Sequence, residues 1–91
     1  MLVNYLASYD GSFHKLQINA QHSTIEAIDR LLDYFQTGQR PHGLRLQRLP
    51  KGYWEIRVGL RIRVLFELSK ERLTFVIVGD HDAMRQWLNA N

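Results

Sequence analysis

Seven cations fall between Arg40 and Arg63, namely Arg40, Arg45, Arg48, Lys51, Arg57, Arg61 and Arg63, and a single acid, Glu55, stands among them. Arginine suits one chemistry above others, because its planar guanidinium grips phosphate oxygens with two parallel hydrogen bonds and stacks on bases. The flanking segments are slightly acidic, so the formal net charge of +3 is concentrated in this stretch. Such asymmetry points to a polyanionic partner, with nucleic acid the leading class. His81, in Gly79-Asp80-His81-Asp82, sits where a strand-end loop can aim an imidazole across a sheet, a good position for an acid. Its plainer role is an exposed or helix-capping histidine, and Asp80 or Asp82 suits the N-cap of the helix that follows. Tyr53 is either a sheet-surface aromatic or a base contact, and Trp87 either a core anchor or a stacking platform.

Other chemistries are excluded by what the chain lacks. It has no cysteine, which removes disulfides, thiolate zinc sites and a cysteine nucleophile together and suits a reducing cytoplasm. His14, His22 and His42 share no metal-ligand spacing, and Gly38, Gly43 and Gly52 stand singly at turns, so neither a metal site nor a phosphate loop is expected. No cofactor is called for. The N-terminus does not read as a secretion signal, and no apolar run reaches membrane-spanning length.

The chain has 91 residues, 45% of them hydrophobic, enough for one domain over 1–91 with a single modest core. Leu2 to Leu6 reads as a short strand, and Asp10-Gly11-Ser12 as a turn into a brief helical piece through Phe13 and Leu16. Ser23 and Glu26 have capping-box spacing, and Ile25, Ile28, Leu32 and Phe35 then recur on one helical face until Gly38. The period then changes to two. Leu44 and Leu46 alternate with Arg45 and Gln47, Pro50-Lys51-Gly52 turns the chain, and Trp54, Ile56 and Val58 alternate with Tyr53, Glu55 and Arg57. Beyond Gly59, Ile62, Val64, Phe66 and Leu68 alternate with Arg61, Arg63, Leu65 and Glu67. Leu73 to Val78, apolar but for Thr74, predicts a strand covered on both faces, and Asp80 to Leu88 a short closing helix. The class is α+β: a helical N-terminal part, then an antiparallel meander.

These alternations put Arg45, Glu55, Arg57, Arg61 and Arg63 opposite the apolar positions that receive the helix. A solvated sheet face is ordinarily polar, but it mixes Glu with Lys, whereas this one is nearly all arginine.

Three stretches in sequence, Lys51-Gly52-Tyr53-Trp54-Glu55-Ile56-Arg57-Val58, Arg61-Ile62-Arg63-Val64-Leu65-Phe66-Glu67 and Val78-Gly79-Asp80-His81, resemble the RelE/ParE superfamily of bacterial toxins. The resemblance covers the second half of the chain, and the first half through element order. It implies a RelE-like fold, a twisted antiparallel sheet with two N-terminal helices packed on one face and a short C-terminal helix. It also implies the toxin of a type II toxin-antitoxin system, cytoplasmic and neutralised by a cognate antitoxin. In the RelE branch such a toxin is an mRNA interferase, a hydrolase acting on mRNA, usually in the ribosome, and blocking translation.

Carried over by position, Arg63 matches the family's phosphate-binding arginine and Arg57 the basic residue of the preceding strand. Glu55 stands where some RelE members have a catalytic lysine. His81 stands where members carry Arg or His, and Trp87 where many carry tyrosine. The implied reaction is metal-free attack of a ribose 2′-hydroxyl on the adjacent phosphate, with Glu55 as base, His81 as acid, and Arg57 and Arg63 holding the charge. Arg45, Arg48, Lys51, Tyr53, Arg61 and Trp87 are the expected RNA contacts. A ParE-like gyrase inhibitor and a non-catalytic nucleic-acid-binding module are the alternatives.

Overall fold

The computed structural model describes residues 1–90. Strand β1 (Leu2–Tyr5) leads into helices α1 (Ala7–His14) and α2 (Ile18–Thr37). Strands β2 (Leu46–Arg48), β3 (Tyr53–Val58), β4 (Ile62–Ser69) and β5 (Arg72–Gly79) follow, and helix α3 (His81–Ala90) closes the described chain. The expected α+β architecture is present, with one refinement. The sheet order is β1-β5-β4-β3-β2, and β1 runs parallel to β5, so the sheet is mixed rather than wholly antiparallel.

Two apolar layers sandwich the sheet unequally. On one face Tyr9 of α1 and Ala27, Ile28 and Leu31 of α2 pack on Ile56, Val64, Phe66, Leu73 and Phe75. On the other, Met84 of α3 packs on Leu65, Val76 and Ile77, with Trp87 alongside. The last strand is therefore covered on both faces, as a run apolar at every position from Leu73 to Val78 except Thr74 predicts. The rest of that second face is left to polar residues.

The helical half departs from expectation at two points. Asp10-Gly11-Ser12 is not a turn but lies inside α1. What holds it helical is tertiary. A β-bulge opposite Leu65 and Phe66 leaves Val76 without a ladder partner, and α1 takes over the freed groups: Ser8 Oγ donates to the Val76 carbonyl at 2.6 Å, and Ser12 Oγ accepts from the Val78 N–H at 3.0 Å. Tyr9, between the two serines, is buried against Phe75.

The second departure is the start of α2. Ser23 and Glu26 do not cap it, because the helix begins at Ile18 with Gln17 in extended conformation ahead of it. Gln21 instead bridges the α1–α2 corner through the carbonyls of Phe13 and Leu16. Its buried stripe, Thr24, Ala27, Ile28 and Leu31, is rotated from the expected one, and Ile25 is 48% exposed. The end is as expected: Gly38 adopts φ 77°, the left-handed conformation that lets its N–H close on the Tyr34 carbonyl.

Candidate nucleic-acid interface

Strand register builds the site. Arg57 is paired across β3–β4 with Arg63, and Arg63 across β4–β5 with Gly79. On the other side the Arg57 N–H donates to the Arg45 carbonyl at 3.1 Å, just beyond the end of β2. Arg45, Arg57 and Arg63 thus form one row across three neighbouring chain segments, ending at Gly79 and the start of α3. The next row on the same face is Gln47, Glu55, Leu65 and Ile77, where α3 begins its cover.

Like charges directly opposite each other in a ladder are destabilising, so each arginine needs an outlet. Beside Arg57 on the same face lies Glu55, 2% exposed, with a carboxylate oxygen 3.8 Å from the Arg57 Nε. Arg63 Nη1 lies 2.8 Å from His81 Nδ1. Guanidinium only donates, so Nδ1 is the acceptor and the ring proton sits on Nε2. Arg45 and Arg57 remain exposed, and the row keeps net positive charge that an anion would neutralise.

The N-terminus of α3 places His81. Asp80 is the cap, its Oδ1 accepting from the Ala83 N–H at 2.9 Å, which leaves Asp82 in the first turn. Gly79 lets the helix approach this closely, since a Cβ there would stand 2.8 Å from the Ala83 Cβ.

The remaining expected contacts separate. Arg48 is paired with Trp54 and lies over its ring at 5.6 Å, on the helix-bearing side of the sheet rather than in the arginine row. Arg61 is exposed in the turn between β3 and β4, outside the sheet alternation. Lys51, at φ 66°, donates from Nζ to the Leu88 carbonyl at 2.7 Å and so ties down the last turn of α3. Trp87 donates from Nε1 to the Tyr53 hydroxyl at 3.3 Å while packing beside Met84, so the anchor role describes it better than an open platform. Lys51, Tyr53 and Trp87 gather at the far end of α3, away from His81. Glu55, expected as the base, is 2% exposed and lies beside Arg57 on the same face of β3.

Sequence reasoning missed two things. It named Arg63 and His81 singly, but nothing in the linear pattern joins them; only the β4–β5 register does. Gly79 carried no signal beyond ending a strand.

No protein-family model and no curated protein matches the sequence. Solved structures do match the fold. A copper-bound mutant toxin from Helicobacter pylori superposes with a TM-score of 0.73 at 14% identity, covering 92% of this chain and 98% of that one. A YoeB/ParE toxin from Agrobacterium tumefaciens gives 0.65 at 22% identity, over 89% and 99%. The RelB–RelE antitoxin–toxin complex from Methanococcus jannaschii gives 0.67 at 12% identity, over 92% and 96%. The chain has the RelE/ParE toxin fold across nearly its whole length. Some of the toxins it resembles are solved bound to their antitoxins.

Proposed function

We propose that the chain is the toxin of a toxin-antitoxin pair and a metal-free endoribonuclease that cuts mRNA, with the ribosome as the setting that the resemblance to the RelE branch implies. The observation that carries this reading is the row Arg45–Arg57–Arg63 with His81 hydrogen-bonded to its end. A phosphodiester laid along the row has its charge met by guanidinium groups, Arg63 held by His81 and Arg57 beside Glu55. Attack of the 2′-oxygen on phosphorus forms the 2′,3′-cyclic phosphate as the bond to the 5′ oxygen breaks. The 2′ proton leaves to solvent, and the departing oxygen takes a proton from His81.

When phosphate engages Arg63, the guanidinium gives up Nδ1, and the ring can take a second proton and donate from Nε2. Glu55 acts as a positioning residue, holding Arg57 by its Nε edge. A cognate antitoxin, as in the neighbouring complexes, would silence the toxin; location in the cytoplasm follows from that role.

The test is induced expression of the chain and of Arg63→Ala, with primer extension on cellular mRNA. Growth arrest with new 5′ ends that require Arg63 is the expected result. Arrest without cuts would move the target to gyrase or another protein, and unimpeded growth would leave a binding module.

A further inference from the structure

The helix-bearing side of the sheet, across from the arginine row, carries an opening of the opposite character. A cavity of about 380 Å³ lies where the end of β1 meets α1 and α2, bordered by Tyr5, Tyr9 and Phe13 and by the carboxylates of Asp10 and Asp29. That volume falls within the ~300–1,000 Å³ of small-ligand pockets. The rings stand in sequence, Tyr5 and Tyr9 with centroids 5.3 Å apart and Tyr9 and Phe13 5.8 Å apart. Among the described residues no lysine or arginine borders the cavity. His14 does, and its Nδ1 donates to the Asp10 carbonyl at 2.6 Å, which in the neutral ring leaves Nε2 as an acceptor. Tyr9 is 5% exposed, and among the described residues its hydroxyl has no hydrogen-bond partner. The groups that act on this hydroxyl electrostatically, Tyr5 and Asp10, border the same cavity, so the hydroxyl opens into it.

We propose that this cavity is a cage for an arginine side chain presented by a protein partner. Aromatic faces are negative, as are the two carboxylates, so the lining as a whole is built to surround a cation. Guanidinium matches it best. Its plane stacks on a ring, and its five N–H groups, which only donate, can reach both carboxylates and the Tyr9 oxygen together. An ammonium offers three donors at one point, and a quaternary ammonium none. The source is read from what lies alongside. Further along the same side of α2, Leu32 and Phe35 with Met1 and Val3 line a second, apolar hollow, and Val3 and Ile25 are 36% and 48% exposed. A free guanidinium compound would fill the cage alone, whereas a peptide carrying the arginine would also cover this apolar strip. The site uses none of the arginine row, so it stands or falls apart from the nuclease reading.

The experiment titrates four probes separately into the isotope-labelled chain, following amide resonances: N-acetylarginine amide, its neutral isostere N-acetylcitrulline amide, N-acetyllysine amide, and the peptide acetyl-Leu-Arg-Leu amide. The arginine compound should shift Tyr5, Ile25 and Asp29 and bind at least ~10-fold tighter than the citrulline one, about what one charge-assisted hydrogen bond contributes. The peptide should bind tighter still and add shifts at Val3 and Leu32. Asp10→Asn combined with Asp29→Asn, two isosteric changes at exposed positions, should abolish the preference for arginine over citrulline, with the amide spectrum showing that the fold is kept. Equal binding of those two compounds, or a preference that survives the double substitution, overturns the cage. A lysine compound bound as tightly as the arginine one overturns the choice of guanidinium, and a peptide bound no tighter than the single residue overturns the protein partner.

Discussion

Two side chains, Glu55 and His81, carry opposite lessons about reading roles from residue type. Both were candidates for proton transfer, but Glu55 is buried beside a guanidinium whereas His81 is exposed and shares a hydrogen bond with Arg63. Glu55→Gln removes a negative charge from beside the row, so RNA binding should tighten while cleavage slows through a less firmly held Arg57. Filter binding and single-turnover rates measure both, and a loss of affinity would refute the positioning role. Removing a general acid typically costs 10²–10⁴-fold, so His81→Ala should slow cleavage within that range. A cleavage rate unchanged by the substitution would remove His81 from the mechanism.

At the scale of elements, the site depends on how α3 and α1 are seated. Gly79→Ala would put a Cβ 2.8 Å from that of Ala83, and neither atom belongs to a flexible side chain, so the start of α3 must move. Overpacking of this kind costs roughly 1–3 kcal/mol. The variant should melt lower in a thermal scan and lose cleavage more than RNA affinity, since His81 moves and the arginines stay. Seating of α1 is read through Tyr9, whose hydroxyl is pushed well above the usual tyrosine range, chiefly by burial and then by the neighbouring Tyr5 and Asp10. A raised folded value means that stability is full below the unfolded value of about 10 and is lost as pH climbs above it. Urea midpoints should therefore hold up to about pH 9 and fall by about pH 11, with Tyr9→Phe flattening that decline. Tyr5, shifted the same way by partial burial and Asp29, adds to it.

For the whole molecule, the question is how the charge is spread. Three arginines in a row, each meeting one phosphate, predict a slope of about −2 in log affinity against log salt for single-stranded RNA, at ~0.7 per contact. Arg45→Ala should reduce that slope to about −1.4, whereas Arg48→Ala should leave it unchanged, because Arg48 lies across the sheet over Trp54. Equal effects of the two substitutions would mean that RNA does not follow the row. None of the described helices is long and apolar enough to cross a membrane.

The sequence by itself determined the α+β class, β3 through β5, the closing helix and the shared face of Arg45, Arg57 and Arg63, because period-two patterns and single glycines at turns are local signals. It could not determine that Asp10-Gly11-Ser12 is helical, since the bulge at Val76 that Ser8 and Ser12 satisfy lies over sixty residues away. Nor could it determine the start of α2, where no side-chain cap marks the end. The parallel pairing of β1 with β5, the burial of Glu55 and the meeting of Arg63 with His81 were likewise decided only in three dimensions. Each depends on strand register and on which half of a face α3 covers, and long-range packing sets both.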